Sequence, residues 1–338
     1  MSEYHQRIKK QGQFEFSFEP KSFWEYIRGG VLDKIIGDSK SYGETYTGKV
    51  PIHKGRRNEG GFLSKFNSEY AKRIIEMWSK EEDLILDPFA GRSSRSLISV
   101  LLNRNYLGFD VVDENLNESR VQYEEFKNDY NKIGRLKLIH SSSEFIDDFV
   151  KQDECVDLIF TCPPYFNIER YESTPGQLTD FRTYEEFFEN YKTILNKCIP
   201  KLKPTGFFIV VLANFRIDNK FYDFCGDTKN ILKEHLDFHD EIILEMSPAK
   251  RHPLYLQAIT NLNCLKTHEY CIVFRNSDMK ENIIKRNDEI NENRPLVKDV
   301  YEDKDRLFWS KSEGKIDWIE QLFQTKNNSL QEFFKQNV

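Results

Sequence analysis

The residue types with the most chemical content lie together in Thr161-Cys162-Pro163-Pro164-Tyr165-Phe166. Neither proline can donate to a β ladder, so the pair ends any strand that precedes it. The prolines also fix the backbone, pointing the Pro163 carbonyl away from the sheet, and an aromatic ring follows at once. A rigid carbonyl beside a flat ring suits a planar amine: the carbonyl accepts from the amino hydrogens while the ring stacks on the heterocycle. The plainer alternative is a proline-braced loop that packs Tyr165 and Phe166 into a core. The element that must position this turn is Val156-Asp157-Leu158-Ile159-Phe160, a compact apolar run that reads as a buried strand.

A second cluster stands upstream. Leu84-Ile85-Leu86-Asp87 reads as a buried strand ending in an acid, and Pro88-Phe89-Ala90-Gly91 as a tight turn. Helical periodicity follows over residues 96–102, then Tyr106-Leu107-Gly108-Phe109-Asp110, a second strand with an acid at its carboxyl end. Strand, small-residue turn, helix, strand and acid make the nucleotide-binding half of an open α/β sheet. There the ligand lies beyond the carboxyl ends of the strands, and the second acid bonds ribose hydroxyls.

In this order, Asp87-Pro88-Phe89-Ala90-Gly91 and Cys162-Pro163-Pro164-Tyr165 resemble motifs I and IV of S-adenosylmethionine-dependent DNA amino-methyltransferases. The longer stretch Leu158 to Tyr165, with Tyr171 and Tyr184-Glu185-Glu186-Phe187 beyond it, is similar to the phage and prophage methylases of that group. His268-Glu269-Tyr270, before the last strand, also looks like them. The resemblance implies a doubly wound, mostly parallel α/β sheet of the class I methyltransferase type with an antiparallel final strand, flanked here by helical N- and C-terminal additions. It implies S-adenosylmethionine as cofactor, held by Asp87, Pro88, Phe89, Ala90, Gly91 and Asp110, and no metal. The stretch before motif I contacts the methionine end of the cofactor in the resembled group, which makes Phe66 and Asn67 candidates. Catalysis falls to Cys162, Pro163, Pro164 and Tyr165, with Phe166 at the target base.

Three positions depart from the family pattern. Ser93 stands where a second glycine is common, and serine tolerates fewer backbone conformations. Ser142, within Ser141-Ser142-Ser143 after the strand Leu136 to His140, stands where an Asp often bonds the adenine amino group, and a hydroxyl accepts the same bond. Cys162 stands where Asp, Asn or Ser is usual; it is nearest to serine in shape, and serine after threonine is typical of the cytosine 4-amino enzymes. That tilts the expected target to cytosine over adenine. The departures keep open a catalytically weak or inactive DNA- or cofactor-binding subunit of the same fold; an RNA or protein-glutamine amino-methyltransferase is a third reading.

The chain has 338 residues and a net charge of -6, so no global basic signature points to nucleic acid and any contact must come from local patches. Arg56 and Arg57 in a glycine-rich loop, and Lys250 and Arg251 in the insert 247–268, are the candidates for the phosphate backbone. Asn214 and Arg216, past the strand Phe207 to Leu212, are further candidates for the target. Arg92 and Arg95 read as solvent-facing, and His140 as structural. The six cysteines have no metal-like spacing and read as free thiols in a reducing cytosol. The expected organisation is an N-terminal extension over 1–61, a catalytic domain over 62–275 with 247–268 as target-recognition insert, and a charged helical extension over 276–338. Phe23 to Ile27 looks helical, Asn67 or Ser68 is a natural helix cap, Lys203-Pro204-Thr205-Gly206 reads as a turn, residues 167–178 as a loop over the site, and 278–305 as exposed. The expected partners are DNA and a restriction nuclease or other modification-system protein, with no membrane, in the cytoplasm of a bacterial or phage-infected cell.

Overall fold

The structure, a computed structural model, describes residues 22–26, 66–129, 132–167, 174–246, 258–276 and 280–292. Its strands are β1 (Phe23–Trp24), β2 (Leu84–Asp87), β3 (Asn105–Asp110), β4 (Leu136–His140), β5 (Val156–Thr161), β6 (Leu202–Leu212), β7 (Phe215–Ile217), β8 (Lys220–Tyr222), β9 (Asp237–Glu245) and β10 (His268–Arg275). Eight of them form one sheet in the order β1-β9-β10-β6-β5-β2-β3-β4, and β7 pairs only with β8. Every pairing in the large sheet is parallel except those of β10, which runs against both β6 and β9. This is the expected doubly wound sheet with a reversed last strand.

Helices cover both faces. On one side lie α1 (Ser68–Trp78), α2 (Ser94–Leu101) and α3 (Asp113–Asp129). The other carries the short α4 (Ile146–Phe149), α5 (Tyr184–Cys198) and α6 (Phe224–Lys233), and α7 (Lys280–Glu292) returns to the first face. Because β5 lies mid-sheet under helices on both faces, all six of its residues are buried. Asn67 caps α1 by accepting from the Glu69 and Tyr70 amides, and Thr183 caps α5 by accepting from Glu186.

Several expectations change. Phe23 and Trp24 are not helical; they form the edge strand, pairing with Ile243 and Leu244. Lys203 to Gly206 is no turn but part of β6. The register against β5 jumps from Val156↔Leu202 to Leu158↔Phe207, so the extra residues bulge out there. Gly206 is required in that bulge, since a Cβ would fall 2.5 Å from Leu202 Cδ1 and 2.9 Å from the Asp157 carbonyl oxygen. Residues 280–292, expected to be exposed, form a helix that buries Ile290 and docks Arg286 on Asp83 through Nη1–Oδ1 at 3.0 Å and a second contact. The β7–β8 hairpin was not foreseen; its two-residue loop, Asp218-Asn219, has φ of 50° and 65°, as a tight twisted hairpin turn requires.

Arg92 and Arg95 also move inward. Arg92 pairs with Glu118 at 3.0 Å, and Arg95 is 4% exposed. Arg95 Nε donates to Asp87 Oδ2 at 2.7 Å, and its Nη2 donates to the carbonyls of Phe89 (2.5 Å) and Ala90 (3.1 Å). Burial works against the guanidinium charge, but Asp87, Tyr106 and Cys162 together more than offset it and push its pKa up. Asp87 is fully buried and receives three further donors: Tyr106 hydroxyl (2.7 Å), Thr161 hydroxyl (2.7 Å) and the Phe89 amide (3.0 Å). One carboxylate therefore joins β2, β3, β5, α2 and the turn. Asp87→Ala would leave the guanidinium buried without its counter-charge. It should lower the unfolding free energy in a urea titration by about 3–5 kcal/mol; a loss below about 1 kcal/mol, the range of an exposed pair, would show the knot to be dispensable.

Candidate active site

A cleft of about 350 Å³ opens beyond the carboxyl ends of the parallel strands, the size and place of a small-molecule site in such a sheet. Its walls come from the ends of the strands in turn. The β2–α2 turn gives Pro88, Phe89 and Gly91; β3 gives Asp110 and Val111; the segment after β4 gives Ser141, Ser142 and Ser143; the turn after β5 gives Cys162, Pro163, Pro164 and Tyr165. Phe66 and Asn67 line it from the entrance to α1. Thus most of the residues expected to act together do share one cavity.

The turn is fixed by Asp110. Gly91 sits at φ 54°, a left-handed conformation that favours glycine, and its amide donates to Asp110 Oδ2 at 2.8 Å. Val112 donates to Oδ1 at 2.8 Å. Each carboxylate oxygen keeps a further lone pair, so the group can still accept from ribose hydroxyls. Burial raises the Asp110 pKa, and the two amides and Asn115 work in the opposite direction. Ser93, by contrast, has right-handed φ -36° and ψ -20° at the entrance to α2, and its hydroxyl donates to Glu118 at 3.2 Å. No glycine is needed there, so the departure at 93 does not alter the turn.

Three expected cofactor or base contacts lie elsewhere. Asp87 is the buried knot described above. Ala90 is 2% exposed and packs so tightly on β3 that a Cβ on Gly108 would meet it at 2.8 Å. Phe166 is 5% exposed, its ring centroid 5.9 Å from Tyr184 and 5.6 Å from Phe187, so it belongs to the core and Tyr165 alone of the two faces the cleft. Asn214 braces the chain by accepting from the Cys225 amide at 2.8 Å, while Arg216 is exposed on the hairpin. His140 Nε2 meets the Val111 carbonyl at 3.0 Å, a structural contact. Arg56, Arg57, Lys250, Arg251 and Tyr171 lie outside the described residues.

The structure adds residues that the sequence did not name for the site. Tyr26, Tyr70, Glu245, Met246 and Glu269 close the cleft from the β1–β9–β10 side. Tyr165 donates to Glu269 Oε1 at 3.2 Å, and its ring stands edge-on to Phe215 (6.0 Å) and Phe224 (6.3 Å), which fixes its plane. Tyr70 donates to the carbonyls of Glu245 (2.6 Å) and Trp24 (3.1 Å), and Tyr26 N donates to Glu245 Oε2 at 2.8 Å. The only signal for these was the family-like stretch His268-Glu269-Tyr270 ahead of the last predicted strand. Gly176, Gln177 and Leu178 form a further wall, in keeping with a loop over the site.

A reversed-strand α/β sheet whose cleft combines a left-handed glycine turn, a carboxylate at the end of β3 and acidic walls fits a cationic nucleoside. These features define an S-adenosylmethionine-dependent methyltransferase of class I. Residues 3–120 and 156–336 match the DNA methylase family of N6- and N4-amino enzymes, and the chain belongs to that family. It is similar to the type II methyltransferase M2.MboI of Moraxella bovis, 39% identical over 101 residues that cover 30% of this chain. The match spans 36% of that relative's length, about a third. Among solved structures it is similar to TrmN from Thermus thermophilus (13% identity, TM-score 0.43, 62% of this chain and 49% of that one). Another is NSun6 from Pyrococcus horikoshii with SFG (13%, 0.43, 68% and 56%). Likeness at this level bears on neither substrate nor site.

If Asp110 holds the ribose, Asp110→Ala in a variant that keeps its fold should weaken S-adenosylhomocysteine binding about ten- to a hundredfold, the range for a hydrogen bond to a charged group. Calorimetry decides this, and unchanged affinity would remove Asp110 from the site.

Proposed function

We propose that this chain methylates an exocyclic amino group of a base in DNA, the cytosine 4-amino group ahead of the adenine 6-amino group. The observation that carries the proposal is that the Cys162-Pro163-Pro164-Tyr165 turn opens into the same cleft as Gly91 and Asp110. An exocyclic amine is a poor nucleophile because its lone pair is delocalised into the ring. The Pro163 carbonyl and the Cys162 sulfur accept from its two hydrogens and localise that pair. Tyr165, its plane fixed by Glu269, Phe215 and Phe224, stacks on the base. S-adenosylmethionine, when bound, supplies the electrophilic methyl group. The base has to leave the duplex to reach the cleft, at an unstacking cost of roughly a few kcal/mol. Catalysis on this reading is positioning.

A second reading, a DNA-binding subunit with little or no turnover, draws on Cys162, a weaker acceptor than the usual residues. Mass spectrometry of nucleosides from DNA incubated with the protein and S-adenosylmethionine separates the readings. N4-methylcytosine is expected; N6-methyladenine would change the target, and no methylated base on DNA that is bound would favour the second reading. Methylated RNA or protein instead would move the substrate out of DNA. The same assay tests Cys162. As an acceptor it is improved by Cys162→Ser, which should keep or raise activity; a folded, cofactor-binding but inactive serine variant would argue for a covalent thiol and against this mechanism.

The DNA itself needs positive charge near the cleft. In addition to the sequence candidates Lys250 and Arg251, the hairpin and Lys266 offer it: Arg216 and Lys266 lie over the exposed Phe221 ring at 5.0 and 4.8 Å from its centroid, and Lys220 over Tyr222 at 4.8 Å. The inner face of the hairpin touches Tyr165 through Phe215, so the patch flanks the cleft mouth. Such a protein works with DNA in the cytoplasm of a bacterial or phage-infected cell, alongside a restriction nuclease if it serves a modification system. Replacing Arg216 and Lys266 by Ala should reduce the slope of log binding constant against log salt by about two, since about one counterion is released per phosphate contact. An unchanged slope would place the duplex elsewhere.

A further inference from the structure

We infer that Gln177 reads the adenine edge of the methyl donor, in the role that an acid at position 142 would otherwise take; this rests on the cofactor assignment above. Gly176 brings the neighbouring chain onto that end of the cleft. It has φ 86°, and a Cβ there would lie 2.8 Å from Ser142 Cβ and 3.5 Å from Val111 Cγ1. Val111 follows the ribose-facing Asp110 and Ser142 follows the next strand outward, so the base of a nucleoside anchored on Asp110 lies toward Ser142 and Gln177.

The serines at this end are already engaged. Ser141 hydroxyl donates to the Ser142 carbonyl at 3.2 Å, Ser142 hydroxyl accepts from the Glu144 amide at 3.3 Å, and Ser143 hydroxyl donates to the Pro88 carbonyl at 2.5 Å. Gln177 differs from them. It is 7% exposed and lines the cleft; its backbone is held by Thr174 and Asp180, while its side-chain amide has no hydrogen-bond partner among the described residues. The amide opens on the cleft, so a ligand that displaces the water there must pair with it or leave it unsatisfied. A carboxamide presents an acceptor and a donor side by side. The adenine edge presents the complement, an amino donor next to a ring-nitrogen acceptor. The edge read is the one formed by the 6-amino group and N7: with an oxygen in place of the amino group both of its atoms are acceptors, and either orientation of the carboxamide sets its oxygen against one of them.

The test is calorimetric and independent of turnover: S-adenosylhomocysteine and its 6-oxo analogue, S-inosylhomocysteine, titrated into the wild type, Gln177→Met and Gln177→Glu. The wild type should prefer the adenine compound by about tenfold or more, the worth of a buried hydrogen-bonded pair. Gln177→Met, close in size and unable to pair, should lose about tenfold for the adenine compound, little for the oxo compound, and most of the preference. Gln177→Glu keeps the acceptor and should keep the preference. A preference that survives in Gln177→Met, or one absent from the wild type, overturns the inference while leaving the cofactor assignment in place. A wild type that binds neither compound overturns both.

Discussion

The site is held together by the buried carboxylate of Asp87. Its two oxygens receive four donors, from the turn that follows β2, from β3, from β5 and from α2. Two of these bear directly on the chemistry. The Phe89 amide belongs to the turn that shapes the Gly91 side of the cleft, and the Thr161 hydroxyl belongs to the residue just before Cys162. The separation between the two halves of the site is therefore fixed by bonds to a single group in the interior. Arg95 balances the charge, and by donating to the Phe89 and Ala90 carbonyls it ties down the same turn from behind. A carboxylate in this setting gives rigidity as long as all its partners stay; this is why a cavity assembled from several separate segments can present its groups at constant spacing.

A second layer of order comes from aromatic rings. Tyr165 faces the cleft, but its orientation depends on Phe215 and Phe224, which in turn contact Tyr184, Phe187, Tyr191 and Tyr222. Phe166 completes this cluster from the adjacent position. Adjacent aromatic residues in one short turn thus have opposite duties, one presented to the cleft and the other sunk as an anchor. The hairpin β7–β8 is joined to the cluster through its inner face, and its outer face carries Arg216 and Phe221. Anything that binds the outer face is mechanically connected to the ring that would stack on a base.

Much of this was legible from residue types alone, because buried parallel strands announce themselves as short apolar runs and their ends carry the acids. The turn at Gly91, the acid at Asp110, the cap at Asn67 and the Pro-Pro turn all follow from local rules, and all line the cleft. What was not legible depends on contacts distant in sequence. Asp87 reads as a ligand by its resemblance to motif I; only the return of α2 shows that Arg95 reaches it first. Pro204 and Gly206 read as a turn, yet they sit in a bulge whose cause is the mismatch between β5 and β6. Tyr26 and Glu245 have no local signature, since they join Tyr165 in the cleft wall only through the order of strands at the sheet's far edge.

That edge has a consequence of its own. Strand β9 runs from Asp237 to Glu245, and only Ile243 and Leu244 pair with β1 on its outer side. The short pairing is clamped where Tyr70 holds the Trp24 and Glu245 carbonyls together, and the Trp24 ring packs 6.4 Å from those of Tyr70 and Trp78. A bare strand edge is a template for another chain, and a short covering strand is one of the ways proteins deny it. Residues 22–26 therefore serve solubility and the cleft wall at once: loss of that segment would uncover a β edge and remove Tyr26 from the cavity in the same event. Self-association and loss of ligand binding would then share one cause, so shortened forms of the chain would be poor material for judging what its active site can do.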